Sequence, residues 1–244
     1  MGLPVSVLAR GSQARSVAAD KAVQAVYTEL RELDRIFSPY KPDSAVSRLA
    51  TGGLGWDDVD PVVREVAERC EQARDLTGGL FDADTPAGTW DPSGLVKGWA
   101  AERASRQLAD VSGLDWCLNA GGDVVVFCPS GEPFVVGIQD PGDPGRVVTT
   151  IACTAGAVAT SGTAARGAHL YDPRTGRSAA SNWSSITVTG PSLESADILA
   201  TAAFVAGDDW PRVVSALPRY DGLGVLADGT LRATEGWPRT GEAR

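Results

Sequence analysis

A short apolar run, Ala196-Asp197-Ile198-Leu199-Ala200-Thr201-Ala202, carries one carboxylate and one hydroxyl four residues apart. On a helix, positions i and i+4 lie on the same face, so these two side chains would project together. A carboxylate among apolar neighbours needs a cation or several hydrogen-bond donors, and hard oxygen ligands of this kind suit Mg2+. A capping aspartate and a threonine that fills a helix groove would give the same pattern. The run alone leaves both interpretations open.

Four further segments place polar residues at turns and beside glycines. They cover residues 33–49, 77–104, 118–123 and 157–176. The second contains Asp91-Pro92-Ser93-Gly94-Leu95-Val96-Lys97-Gly98, a turn that opens a helix. The first backbone N–H groups of a helix have no partner within the helix and attract phosphate groups. This segment is therefore a candidate binding site for a phosphorylated ligand.

In their order and spacing, these segments resemble the ApbE family, the Mg2+-dependent FAD:protein FMN transferases. The resemblance extends over roughly residues 1–235 and rests on short motifs. They are Ser38-Pro39-Tyr40, Gly79-Leu80-Phe81-Asp82, Asp91 to Gly98, Asn119-Ala120-Gly121-Gly122-Asp123, Thr160-Ser161-Gly162, His169 to Gly176, and Asp197 with Thr201. Glycine pairs and Ser-Gly turns are common individually, so the order of several motifs carries the resemblance.

The resemblance implies a metal site. Asp197 and Thr201 match two of the family's Mg2+ ligands, and Asp197 is expected to be essential for catalysis. The third ligand is a backbone carbonyl, which falls at Val96, where the family has alanine; a carbonyl ligand does not depend on the side chain. Pro92 and Ser93 replace the family's Leu-Gly. With two phosphate oxygens, these ligands would give the near-octahedral oxygen coordination that Mg2+ requires.

The resemblance also implies which residues hold FAD. Tyr40 matches an aromatic residue that contacts the flavin ring, which suits an aromatic side chain. Glycines let the backbone approach a nucleotide closely, and hydroxyl and amide groups donate to it. The expected FAD-binding residues are Ser38, Tyr40, Asp82, Lys97, Asn119, Gly121, Gly122, Asp123, Thr160, Ser161, Gly162 and Asp172. Taken one at a time, most of these positions could equally be residues of ordinary turns. Lys97 could equally be a solvent-exposed lysine at the start of a helix.

His169 is the only histidine in the chain. Its unperturbed pKa lies near neutral pH, so it suits proton transfer. In the family, a histidine in this position, before an Asp-Pro-x-Thr-Gly turn, is implicated in activating the acceptor hydroxyl. A structural histidine that bonds to a turn carbonyl is the alternative.

The function implied by the resemblance is transfer of FMN from FAD to a Ser or Thr hydroxyl of an acceptor protein, with release of AMP. Water as the acceptor would make the protein a Mg2+-dependent FAD pyrophosphatase, which needs the same metal and pocket. A non-catalytic FAD-binding protein would not need both Asp197 and Thr201. An FAD-dependent oxidoreductase is not supported, because no G-x-G-x-x-G motif follows the first strand.

Hydrophobic periodicity predicts the elements that must position these residues. Helices are expected over residues 16–37, from Pro61 to the Thr77-Gly78-Gly79 stop, over 95–109, from about 192 through Thr201, and over 209–216. Strands are expected near residues 3–7 and over 116–119, 124–127, 134–138, 147–153, 158–160 and 185–188, and a final hairpin joins 224–227 to 230–233. The pattern predicts an α+β fold, a single unit of two interlocked mixed α/β subdomains over residues 1–235. Residues 236–244 are expected to form a flexible tail.

Composition excludes several classes of protein. The net charge of −9 argues against a nucleic-acid-binding face. Four cysteines without a C-x-x-C pair, together with a single histidine, argue against a zinc site. No apolar run is long enough to span a bilayer, and the N-terminus does not read as a signal peptide. A cytoplasmic location is therefore expected for the sequence as given, or export if its N-terminus was trimmed.

Overall fold

The computed structural model describes residues 2–163, 171–179 and 181–238. Its strands are β1 (Val5–Arg10), β2 (Asp115–Ala120), β3 (Asp123–Phe127), β4 (Phe134–Asp140), β5 (Asp143–Cys153), β6 (Ala155–Gly162), β7 (Tyr171–Asp172), β8 (Arg177–Ser178), β9 (Trp183–Gly190), β10 (Asp221–Leu226) and β11 (Leu231–Ala233). The main sheet of the described chain has the order β1-β2-β3-β6-β9-β10-β11, and all its neighbours pair antiparallel. The hairpins β4–β5 and β7–β8 form two small separate sheets.

Local sequence signals account for where the helices begin. The helices are α1 (Val17–Phe37), α2 (Ala45–Ala50), α3 (Pro61–Leu76), α4 (Ser93–Ala109), α5 (Leu193–Ala206) and α6 (Trp210–Val214). Side chains of Ser16, Asp60 and Ser192 accept backbone N–H bonds at the starts of α1, α3 and α5, which stabilises these ends. The expected starts of these three helices are therefore confirmed.

The two faces of the main sheet cover different cores. On β2 and β3, Leu118 and Val125 belong to the larger core with the helices, whereas Cys117 and Val124 belong to a smaller one. Because successive residues of a strand point to opposite faces, the two cores lie on opposite sides of the sheet. The smaller core is closed by residues of β4 and β5, including Ile151. Helices on one face and a hairpin on the other confirm the α+β class.

Helix α5 is enclosed on almost every side, which fits its apolar sequence. Its closest helical neighbour is α4, which approaches it at Gly98. A Cβ atom on Gly98 would lie 2.8 Å from the carbonyl oxygen of Leu193 and 2.9 Å from Cβ of Asp197. Glycine is therefore required there by the close approach of the two helices.

A second contact from α4 fixes the first turn of α5. The Oε2 atom of Glu102 accepts hydrogen bonds from the hydroxyl of Ser192 at 2.8 Å and from the backbone N–H of Glu194 at 3.0 Å. A negative charge at a helix N-terminus also interacts favourably with the helix dipole. The position of α5 along α4 is thus set by polar contacts as well as by packing.

Several elements differ from the sequence expectation. Helix α2 was not expected, since six residues are too few for a periodic pattern; Ser44 caps it through the N–H of Ser47. Helix α4 begins at Ser93 instead of residue 95, and the helix expected over 209–216 is the shorter α6, preceded by a 3-10 turn at Gly207–Asp209. Trp237, expected in the tail, packs against the smaller core. None of the described helices combines the length and apolar character needed to cross a membrane.

We expect Gly98→Ala to lower the free energy of unfolding by about 1–3 kcal/mol, because its methyl group would overlap α5. In an unconstrained helix the same change is stabilising, so a loss of stability would report the close approach. Gly53→Ala is the control, because its Cβ would meet nothing closer than 3.6 Å. Denaturant unfolding of both variants measures the difference. Equal stability of the two would contradict the described helix contact.

Candidate functional site

A buried group of three charges joins α4, β3 and α5. The Nζ atom of Lys97 lies 2.5 Å from Oδ2 of Asp123 and 3.1 Å from Oδ1 of Asp197. Both aspartates are only 1% exposed, whereas the Lys97 side chain is 23% exposed. One ammonium therefore lies between two desolvated carboxylates.

Backbone groups hold both carboxylates in place. Oδ2 of Asp197 accepts the N–H of Gly98 at 3.0 Å, a bond that the missing side chain of Gly98 makes possible. Asp123 begins β3 directly after Gly121 and Gly122, whose φ angles of 65° and 103° favour glycine. Oδ1 of Asp123 accepts the N–H of Thr160 on β6 at 3.1 Å. Each aspartate thus has one oxygen bonded to the backbone and the other directed to Lys97.

The charges of this group do not balance. Among the described residues, two carboxylates against one ammonium leave an excess negative charge in a buried position. Burial raises the pKa of Asp197 above its ordinary value; Lys97 opposes this rise and Asp123 adds to it. Burial lowers the pKa of Lys97, but the two carboxylates outweigh burial and hold it above its ordinary value. A further cation at this position would compensate the excess charge.

Hydroxyl groups line the same region. Oγ1 of Thr201 lies 3.0 Å from Oγ of Ser161 at the end of β6, and Thr201 follows Asp197 by one helical turn in α5. The neighbouring Thr160 hydroxyl lies 2.9 Å from that of Thr187 on β9. Because i and i+4 share a face, the Asp197 carboxylate and Thr201 hydroxyl point to the same side of α5.

The donor set fits a hard divalent cation. Within the described residues, no group of three His, Cys, Asp or Glu side chains is arranged to hold a metal ion. A cation here would depend on Asp197 together with hydroxyl, carbonyl and ligand oxygens, the type of coordination that Mg2+ accepts. Val96, the expected carbonyl ligand, is buried in the first turn of α4 beside Lys97.

The turn between β2 and β3 brings more of the expected residues to this region. Oδ1 of Asn119 accepts the N–H of Gly122 at 2.9 Å, which fixes the turn before Asp123. At the other end of the group, Gly162 follows Ser161 in β6, and a Cβ on Gly162 would overlap the carbonyl oxygen of Ser184. The structure therefore groups Lys97, Asn119, Gly121, Gly122, Asp123, Thr160, Ser161, Gly162, Asp197 and Thr201 around the ends of β3 and β6 and the faces of α4 and α5.

Four other expected residues lie apart from this group. Ser38 is buried as the cap that ends α1, and Tyr40 is 80% exposed. Asp82 pairs with Arg74 at 3.2 Å and Asp172 with Arg174 at 2.8 Å. In the described part of the chain, no hydrogen bond or ion pair joins these four to Lys97, Asp123 or Asp197. Their FAD-binding roles stay predictions, and His169 lies outside the described residues.

Sequence reasoning missed two contributors. Gly98 provides the space and the N–H for Asp197, and Glu102 holds the start of α5. Gly98 could have been found from the sequence, because it is a glycine inside an otherwise helical pattern. Such a glycine often allows another element to pack closely against the helix. Nothing in the local sequence indicates Glu102, since it reads as a solvent-facing helix residue.

Comparison with known proteins places the chain in a family. The sequence model of the ApbE family matches residues 1–87 and 84–223. The FAD:protein FMN transferase of Haemophilus influenzae is 28% identical over 131 residues, which is 49% of this chain and 38% of that protein. The FAD:protein FMN transferase of Vibrio cholerae is 28% identical over 145 residues, 55% of this chain and 43% of that protein. The chain therefore matches less than half the length of these two curated relatives.

Solved structures share the fold. The crystal structure of the ApbE protein from Thermotoga maritima has a TM-score of 0.84 at 24% identity, covering 96% of this chain and 94% of that one. The flavin transferase ApbE from Vibrio cholerae has a TM-score of 0.75 at 20% identity, covering 95% and 97%. At these identities, the similarity establishes the architecture.

We expect Asp197→Asn to leave the metal-free protein at least as stable as the native chain at neutral pH. The amide oxygen can still accept the Gly98 N–H, and the excess buried charge disappears. Asp115→Asn is the control, because Asp115 is also buried but pairs with Arg10 at 3.2 Å and accepts from Ser130 Oγ at 2.5 Å. The Asp115→Asn substitution weakens these contacts and is expected to lower the free energy of unfolding by about 1–3 kcal/mol. Chemical denaturation in EDTA measures the free energy of unfolding of both variants. A comparable loss of stability in Asp197→Asn would show that the charge of Asp197 is already balanced in the native chain.

Proposed function

This chain belongs to the ApbE family, and we propose that it transfers FMN from FAD to a Ser or Thr hydroxyl of an acceptor protein, releasing AMP in a Mg2+-dependent reaction. One observation carries the proposal. In the described part of the chain, Asp197 belongs to a buried group with excess negative charge and lies one helical turn before Thr201, and both residues match metal ligands of the family. A chain that only bound the flavin ring would have no use for an uncompensated carboxylate in this position.

Asp197, Thr201 and the backbone carbonyl of Val96 would hold the Mg2+ ion. Bound there, Mg2+ would neutralise charge on the diphosphate of FAD and favour the departure of AMP. The Gly98 N–H holds Oδ2 of Asp197, and the Thr201 hydroxyl, supported by Ser161, points to the same side of α5. The protein's part is to keep these oxygens in a fixed, desolvated arrangement.

The surrounding residues would bind and orient FAD. The turn of Gly121 and Gly122 and the end of β6 at Ser161 and Gly162 present backbone and hydroxyl groups near the carboxylates. Among the described residues, Lys97 is the cation nearest to Asp197. Since the chain carries a net charge of −9, binding of the diphosphate would depend on this local set of donors rather than on a basic surface.

The transfer step exchanges one phosphorus–oxygen bond for another. The acceptor hydroxyl oxygen forms a bond to the FMN phosphorus, the bond from that phosphorus to the bridging oxygen breaks, and AMP leaves with the bridging oxygen. The hydroxyl proton passes to a general base, a role we assign to His169 from the family resemblance. In-line positioning of the hydroxyl and the bridging oxygen is the main requirement for such a reaction.

Product analysis tests the proposal directly. The protein is incubated with FAD, MgCl2 and an acceptor domain that carries a Ser/Thr flavinylation motif, and the products are identified by mass spectrometry. AMP together with an acceptor heavier by one esterified FMN is the expected result. AMP with free FMN, and no modified acceptor, would instead indicate a pyrophosphatase. Retention of FAD without AMP would leave a flavin-binding protein.

We expect Asp197→Ala to lower AMP release by about 100-fold or more, because a bound metal ion supplies several kcal/mol of transition-state stabilisation. Some FAD affinity should remain, since the residue proposed to contact the flavin ring, Tyr40, is not among the proposed metal ligands. Thr201→Val, which removes only a hydroxyl, should raise the MgCl2 concentration required for half-maximal rate. Thr28→Val is its control, because the Thr28 hydroxyl bonds to the Gln24 carbonyl on an exposed part of α1. Full turnover by Asp197→Ala would exclude the assigned metal site.

A further inference from the structure

We propose that Lys97 acts as an internal counter-ion for Asp197 in the metal-free protein and that binding of a divalent cation at Asp197 displaces it from that carboxylate, leaving it paired with Asp123. The inference rests on the proposed function, because it takes the metal position at Asp197 and Thr201 as given. It adds a role for Lys97 and Asp123 that is independent of flavin: together they set how tightly the metal binds.

The contacts of Asp197 show for which carboxylate oxygen Lys97 and a metal ion would compete. Oδ2 accepts the Gly98 N–H at 3.0 Å, a buried bond that anchors it to the backbone of α4. Oδ1 is the oxygen directed to Lys97, with Nζ at 3.1 Å. A divalent cation that ligates Asp197 through Oδ1 must therefore share this oxygen with an ammonium group, and two cations on one oxygen repel each other strongly in a desolvated site.

Asp123 provides the place to which Lys97 withdraws. Its Oδ2 lies 2.5 Å from Nζ of Lys97, closer than Asp197, and its Oδ1 is fixed by the Thr160 N–H. Loss of the contact with Asp197 would therefore leave Lys97 in a buried pair with one full negative charge. After the exchange, Lys97 and Asp123 balance each other, and Asp197 neutralises one of the two charges of the metal ion, which leaves the other for an anionic ligand.

This arrangement has opposite consequences for folding and for metal binding. Without metal, Lys97 compensates part of the charge of two carboxylates that are each 1% exposed, so its removal should destabilise the fold. With metal, the same ammonium competes for Asp197, so its removal should tighten binding. A lysine that contacted only a phosphate of FAD, at a distance from the metal ligands, would have little effect on the affinity for the metal alone.

The experiment measures MgCl2 binding without flavin by isothermal titration calorimetry, at ionic strength held constant with KCl. We expect the Kd of Lys97→Met for Mg2+ to fall by about tenfold, which corresponds to about 1.4 kcal/mol. Lys97→Arg keeps the positive charge and should not tighten binding. Lys41→Met is the matched control, because Lys41 forms its ion pair with Asp34 at the surface, at 2.6 Å.

Thermal unfolding gives a second readout on the same proteins. In EDTA, Lys97→Met should unfold at a lower temperature than Lys41→Met, and saturating MgCl2 should raise its midpoint by more than it raises that of the native protein. A Kd for Lys97→Met that equals or exceeds the native value would overturn the counter-ion role. A Mg2+-induced rise in the unfolding midpoint of Lys97→Met smaller than that of the native protein would also overturn the counter-ion role.

A third variant separates this proposal from the one on which it rests. Asp197→Asn should lose most of its affinity for Mg2+. If it does, while Lys97→Met binds Mg2+ no more tightly than the native chain, the metal site stands and the counter-ion role alone fails. If Asp197→Asn binds Mg2+ with native affinity, both the metal assignment and the counter-ion role are overturned.

Discussion

The close approach of α4 and α5 at Gly98 is the constraint on which the candidate site depends. Because no side chain separates the helices there, the Gly98 N–H reaches Oδ2 of Asp197 and the preceding Lys97 reaches Oδ1. Any larger residue would push α5 away and break both contacts at once. Glu102, one turn further along α4, holds the start of α5 in the same register. The packing of two helices and the electrostatics of the site therefore have a single structural origin.

Placing two carboxylates in the interior of an acidic protein is costly, and the fold limits this cost locally. Each aspartate accepts one backbone N–H and shares Lys97, yet one negative charge is not compensated by any described side chain. Such residual charge makes a buried position selective for cations. The proposed Mg2+ would then offset the excess negative charge of the fold as well as act on the diphosphate, which links metal binding to stability.

The similarity to ApbE structures, with a TM-score of 0.84 at 24% identity, shows how little of the sequence the architecture requires. The apolar stripe of α1 and the alternating apolar positions of β2 and β3 can be occupied by many different apolar side chains. The glycines at 98, 121 and 122 are different, since each is required by a close approach or a positive φ angle. The departures at Pro92 and Ser93 are accommodated at the start of α4, which begins at Ser93.

The sequence by itself determined the features that depend on neighbours in the chain. The periodicity of α1, the caps at Ser16, Asp60 and Ser192, and the shared face of Asp197 and Thr201 all follow from backbone geometry within a few residues. Only the tertiary structure decided that Lys97 and Asp123 meet at Asp197, since these residues are separated by 26 and 74 positions in the numbering. Their convergence arises from sheet order and helix packing, which bring together segments without any periodic relation. For the same reason, the family resemblance assigned Lys97 and Asp123 only to FAD, whereas the folded chain shows that they also pair within the protein.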